Sequence, residues 1–179
     1  MIDTTQVPTF VIDCSTLLNA YEIRKEMRDK KIRTYCYAFI YKSEILKYGE
    51  QHKWGPTKYG ERIYRQAWYI PGWPTTPKSS SGSDILDVVN KYPAINKNDI
   101  CIMIWDMTNY PRASSKNPAY EVRALERQLI REYAEQHNGI RPVGNIKSEE
   151  HMDRKGIVAD ALFENLFDEP LIDLSTQTH

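Results

Sequence analysis

Apolar residues recur with helical spacing most clearly from Asn117 to Tyr133, NPAYEVRALERQLIREY, where Val122, Leu125, Leu129 and Tyr133 fall on one side at roughly 100° per residue. Asn117 is placed to cap this helix, and Pro118 fits its first turn, where a missing N–H costs nothing. One charged residue, Glu126, falls on the same side. A carboxylate turned inward loses its hydration, which is expensive unless a cation or donors compensate. A divalent cation would do so, as would an arginine in a purely structural salt bridge.

The remaining pattern alternates between the two periods. Thr9 to Asp13, TFVID, reads as a strand, and Ser15 or Thr16 can start a helix through about Asp29 with Leu17, Leu18, Tyr21 and Met27 as its apolar residues. Basic Lys30, Lys31 and Arg33 close it. Tyr35 to Tyr41, YCYAFIY, sets Tyr35, Tyr37, Phe39 and Tyr41 against Cys36, Ala38 and Ile40, a strand with an aromatic face. A second strand runs from Glu44 to Gly49.

A connection centred on Lys42 and Ser43 predicts Ile40 opposite Ile45, Ala38 opposite Lys47 and Tyr37 opposite Tyr48, with both tyrosines on one face. Lys-Ser is not a favoured two-residue turn, and a bulge would shift this match. Glu61 to Ile70 has helical period, gathering Ile63, Tyr64, Ala67 and Trp68 on one side and Arg62, Arg65, Gln66 and Tyr69 on the other. That second face is either solvated or a grip for phosphates.

PGWPTTPKSSSGS is the one long loop. Ser83 caps a short helix, DILDVVNKY, and Asp99 to Met107 is a buried strand ending near Asp106. The helix of Glu126 closes at Asn138 and Gly139, and IRPVGN leads to Asn145. Asp153 to Phe167 predicts a further amphipathic helix with Ile157, Leu162, Phe163 and Leu166 to bury.

A chain of 179 residues is long enough for one domain with a real core. No apolar run approaches the roughly 20 residues of a membrane span, and MIDTTQVPTF lacks the regions of a signal peptide, so a cytoplasmic (intracellular) protein with no membrane partner is expected. Cys14, Cys36 and Cys101 are an odd number without CxxC spacing, which points to buried free thiols. His52, His137, His151 and His179 show no ligand spacing, so a transition-metal site is not expected.

The formal charge of zero hides an asymmetry: residues 24 to 78 hold thirteen Lys/Arg against five Asp/Glu, and residues 147 to 179 hold three against eight. The basic stretch is interleaved with Tyr, Trp and Gly, as a polyanion-binding face would be, which makes nucleic acid a candidate partner.

The order of elements from Arg33 to Tyr133 resembles the GIY-YIG nucleases. Tyr35-Cys36-Tyr37 stands where GIY would and Lys47-Tyr48-Gly49 where YIG would. Arg62 or Arg65 follows on the next helix, and LERQLI supplies Glu126 before Gly144-Asn145.

The resemblance implies an α+β fold, a small central antiparallel three-stranded sheet flanked by helices, over residues 33–146. Residues 1–32 would be an N-terminal strand and helix extension, and 147–179 a C-terminal helix and polar tail. It also implies a Mg2+ (or Mn2+)-dependent endonuclease acting on DNA, most simply double-stranded, of homing, restriction or phage type. Glu126 would bind the cation, and Arg62 or Arg65 would stabilise the transition state. Tyr37 would activate or position the attacking water, with Lys47 or the metal helping it. Tyr48, or Lys47 in its place, would orient water or phosphate, and Tyr69 and Asn145 would support the site. The oligomeric state stays open.

Two other readings remain. FVIDCSTLLN resembles the first strand and helix of PIN-domain ribonucleases, with Asp13 as a metal ligand and Glu44, Asp106 and Asp160 as further carboxylates. The third reading is a non-catalytic nucleic-acid-binding module.

Overall fold

The computed structural model describes residues 1–52, 58–74, 84–111 and 119–145. Four strands, β1 (Thr9–Asp13), β2 (Tyr35–Tyr41), β3 (Glu44–Gln51) and β4 (Ile100–Asp106), form one antiparallel sheet in the order β1-β4-β2-β3. The helices are α1 (Tyr21–Asp29), α2 (Glu61–Ala67), α3 (Asp84–Lys91) and α4 (Ala119–Gln136).

The period-two alternation of β2 divides the core. Tyr35, Tyr37, Phe39 and Tyr41 pack with Ile100, Ile102 and Ile104 of β4 against Ile23 and Met27 of α1, Ile63 and Ala67 of α2, and Ile85, Val88 and Val89 of α3. Cys36 and Ala38 face the other way, with Tyr48 and Trp105, against Val122, Leu125, Leu129 and Ile130 of α4. Three helices therefore cover one face and α4 covers the other.

The α+β class holds, but the sheet has four strands where three were expected. Thr9–Asp13, expected as part of an extension, pairs in full with β4, from Thr9 opposite Trp105 to Asp13 opposite Cys101. The hairpin register also differs. Ile40 does face Ile45, but Phe39 faces Lys47, Ala38 faces Tyr48 and Tyr37 faces Gly49. Leu46 is an extra residue at a bulge, and every pair beyond it slips by one. Lys42 and Ser43 make the two-residue turn with φ of 45° and 76°, although neither is glycine.

The first predicted helix starts later, at Tyr21. Asp13 accepts the Ser15 N–H at 2.9 Å and caps a 3-10 turn over Cys14–Thr16, which takes the place of the expected first helical turn. Asn117 and Pro118, expected as a cap, Ser83 and the helix expected from Asp153 lie outside the described residues. At the other end of α4, Asn138 and Gly139 take positive φ, and the Gly139 N–H donates to the Ala134 carbonyl at 2.6 Å, closing the helix as expected. Cys14, Cys36 and Cys101 are free. Among the described residues no helix is long and apolar enough to cross a membrane.

Candidate active site

The β3 edge of the sheet gathers most of the residues expected to carry chemistry. Tyr37 is fully buried on the central strand, and its ring lies across Gly49 of β3, so that a methyl group on Gly49 would collide with the ring and the hydroxyl. That contact, rather than a turn, is what requires glycine here. Among the described residues the Tyr37 hydroxyl is out of contact with water and makes no well-aligned hydrogen bond, the Arg62 guanidinium standing at the margin of one. Burial raises the phenol well above its ordinary range, the nearby Arg62 charge opposes the shift, and Glu126 and Glu50 add to it.

Arg62 is brought to this place by Gln51, the last residue of β3. The buried amide oxygen of Gln51 accepts the Tyr35 hydroxyl at 2.7 Å and the Arg62 N–H at 2.9 Å, which fixes the first turn of α2 over the strand. Burial works against the Arg62 charge, but Tyr37, Glu50 and Glu126 together hold the guanidinium more firmly protonated than usual. Arg65 stands elsewhere. Its side chain is 70% exposed and donates to Glu61 at 3.0 Å, a carboxylate that also receives Arg24. Of the two arginines, Arg62 meets the tyrosine.

Glu126 arrives from the opposite layer. Cys36 on β2 donates its thiol to the Val122 carbonyl of α4 at 3.1 Å, and one turn later the helix presents Glu126 beside the same edge. Burial and the neighbouring Glu50 push its carboxyl up to about 7, against the downward pull of Lys47, Arg62 and Arg127. No hydrogen bond or salt bridge of its carboxylate is formed among the described residues. The expected inward carboxylate is therefore present, held next to two basic side chains but tied to neither.

Lys47, buried on the Tyr37 face, donates to Asp84 at the start of α3 and to the Gly144 carbonyl at 3.2 Å. It acts on Glu126 through its charge while serving as a tie between β3, α3 and the chain at Gly144. Asn145 completes the edge. Its side chain accepts the Tyr48 N–H at 2.7 Å and donates to the Tyr48 carbonyl at 2.9 Å, pairing with β3 as a neighbouring strand would. A side chain on Gly144 would come within 2.8 Å of Lys47 Cβ, so the close approach of this segment needs glycine as well.

Tyr48 points away from the cluster. The bulge turns Tyr48 to the α4 face, where it packs against Trp105 and Tyr133 at ring separations of 6.0 and 6.5 Å. Burial, with Tyr133 and Glu132, pushes its phenol up to about 12. It does not stand beside Tyr37 as the unshifted register required. Tyr69 is buried in the core under the three-helix face.

Glu50 is the residue the sequence reading missed. It lies at the α4 face opposite Cys36, 6% exposed, and meets His52 at 3.0 Å and Arg123 at 3.6 Å. The expected strand stopped at Gly49. Continuing its alternation from Tyr48 by one step would have marked Glu50 as a second inward carboxylate.

Among the described residues, Asp13 and Asp106 of the PIN-type alternative do not converge. Antiparallel pairing sets Asp13 opposite Cys101, five residues from Asp106, roughly 17 Å along an extended strand. Asp13 and Asp106 each cap a local turn, at Ser15 and Thr108. Asp160 lies outside the described residues. Among the described residues no group of three or more His, Cys, Asp or Glu side chains is arranged to hold a metal ion.

Comparison with protein-family models, with curated proteins and with solved structures gave no match. What the site can do follows from its groups: a cation with a forked donor, a protonated phenol and carboxylates, gathered at one edge of the sheet. That set suits a phosphate ester and a hard divalent cation.

Proposed function

We propose that the protein is a divalent-cation-dependent endonuclease of the GIY-YIG type that hydrolyses phosphodiester bonds in DNA. The observation that carries this reading is the convergence of Tyr37, Lys47, Arg62 and Glu126, from four separate segments, on one edge of the sheet. A purely structural cluster would tie the Glu126 carboxylate to one of its basic neighbours, and among the described residues it is bonded to none.

A magnesium or manganese ion on Glu126 would supply Lewis-acid stabilisation of the leaving oxygen. A cage of protein ligands is not needed, because magnesium keeps several waters and commonly takes only one or two carboxylates together with substrate oxygens. Arg62 neutralises the charge that builds on the phosphoryl oxygens as water adds. Tyr37, kept protonated by burial, orients the attacking water with its hydroxyl. Lys47 holds the edge and adds positive charge.

DNA is the substrate that fits best, since Arg62, Arg65, Arg123 and Arg127 lie exposed on the two helices flanking the cluster and give a polyanion a landing surface. The test is incubation of the full chain with supercoiled plasmid and with RNA, in magnesium and in EDTA, for wild type, Tyr37→Phe and Arg62→Ala. Plasmid cutting in magnesium that stops in EDTA and falls with both substitutions supports the proposal. Cutting of RNA alone would overturn the substrate, and DNA binding by wild type without cutting would make the chain a binding module.

A further inference from the structure

Glu50 has no counterpart in the roles considered so far, yet it is more deeply placed than Glu126. It follows Gly49, the residue under the Tyr37 ring, and stands on the face covered by α4. Arg123, one turn before Glu126 on α4, reaches Glu50 Oε1 with its Nε at 3.6 Å, so the two carboxylates lie on adjoining surfaces of β3 and α4 within about one helical turn. The Tyr37 hydroxyl, fully buried on the other face of the same edge, is near enough to both carboxylates to feel their charge. Two carboxylates kept close repel one another unless a cation stands between them.

The one basic group that α4 offers Glu50 is a loose fit. Its 3.6 Å separation exceeds a hydrogen bond, and the Arg123 side chain is 54% exposed, which leaves it free to turn outward. His52, at 3.0 Å, approaches the other oxygen, Oε2. Oε1 is thus the atom available to a ligand that displaces Arg123.

We infer that Glu50 is a second carboxylate ligand of the divalent cation, bridging β3 to Glu126 on α4, with Arg123 holding its place until the ion binds. This rests on the nuclease reading of the site and adds to it a ligand from the strand itself. It also gives Arg123 a part in assembly, since an incoming phosphate draws the arginine away from Glu50 as the ion arrives.

Titration of the DNA-free full chain with Mn2+, followed by the paramagnetic resonance of the free ion, tests this without any turnover. Glu126→Gln and Glu50→Gln should each weaken Mn2+ binding by about ten- to a hundredfold. Arg123→Gln should tighten it several-fold, and by more than Arg127→Gln, which removes an equal charge near Glu126 without touching Glu50. Circular dichroism of each cation-free variant checks folding, and the exposed Arg123 variant carries the test if Glu50→Gln fails to fold. Wild-type affinity in a folded Glu50→Gln, or equal effects of the two arginine variants, overturns the role of Glu50 and leaves Glu126 as the ligand. Wild-type affinity in Glu126→Gln overturns the cation site as a whole.

Discussion

The two edges of the sheet handle charge in opposite ways. On β1, Asp13 is exposed, and its carboxylate is bonded to the N–H and hydroxyl of Ser15, two residues away. Lys97 donates to the carbonyls of Cys14, Ser15 and Leu17, so the end of that strand is closed by local bonds. On β3, Lys47, Glu50 and Gln51 are buried, Asn145 pairs with the backbone, and the charged groups act on each other across elements. An edge whose polar groups are bonded locally has a structural explanation already. An edge that buries charge and, among the described residues, leaves the Glu126 carboxylate unbonded has capacity for a ligand.

The largest expected effect lies in that cluster. Arg62→Ala should reduce DNA cleavage by roughly a hundred- to a thousandfold, the range for removing a charge that stabilises a transition state, while Arg65→Ala changes the rate little. Single-turnover rates at saturating enzyme separate the two; equal losses would return the catalytic assignment to the arginine pair.

The difference between those arginines was not legible in sequence, because both fall on one helical face and the choice depends on Glu61 taking Arg65 and on Gln51 seating the first turn of α2. The strands themselves were legible, since the alternation in YCYAFIY and the apolar run in ICIMIWD belong to local chemistry. The pairing of β1 with β4 was not, for it joins residues about ninety positions apart and nothing near either strand announces the partner. The register of the hairpin failed at one residue, Leu46, whose bulge carries no residue-type signal and moves Tyr48 to the other face. The inward side chain of Glu126 was legible from helical phase, and the burial of Glu50 was missed because the strand was ended two residues early.

Packing at the β3 edge should be the next most sensitive. Gly49→Ala forces the buried Tyr37 ring aside and should lower stability by about 2–3 kcal/mol in urea unfolding, together with activity. An unchanged urea midpoint would mean the ring moves freely. Asn145→Ala removes two buried hydrogen bonds to Tyr48 and should lower stability by about 2 kcal/mol.

A smaller effect has the opposite sign. Glu126 titrates at about 7 in the fold against an ordinary value of 4.5, so between those values the native state binds more protons than the unfolded one. The stability this group contributes is fully present below 4.5 and is lost as pH rises through about 7. In cation-free buffer at pH about 8, Glu126→Gln should therefore be more stable than wild type by on the order of 1 kcal/mol, with the advantage shrinking toward pH about 4.5. Thermal melts across that range check it; a destabilised variant at high pH would mean that the ionised carboxylate is structurally satisfied.

The central claim, that chemistry belongs to the β3 edge and not to β1, is tested most directly by nicking of supercoiled plasmid in magnesium with Glu126→Gln and Asp13→Asn side by side, both verified as folded. Loss of nicking in Glu126→Gln with wild-type rates in Asp13→Asn is the predicted result. Nicking that survives Glu126→Gln and disappears with Asp13→Asn would move the active site to the other edge and contradict the account.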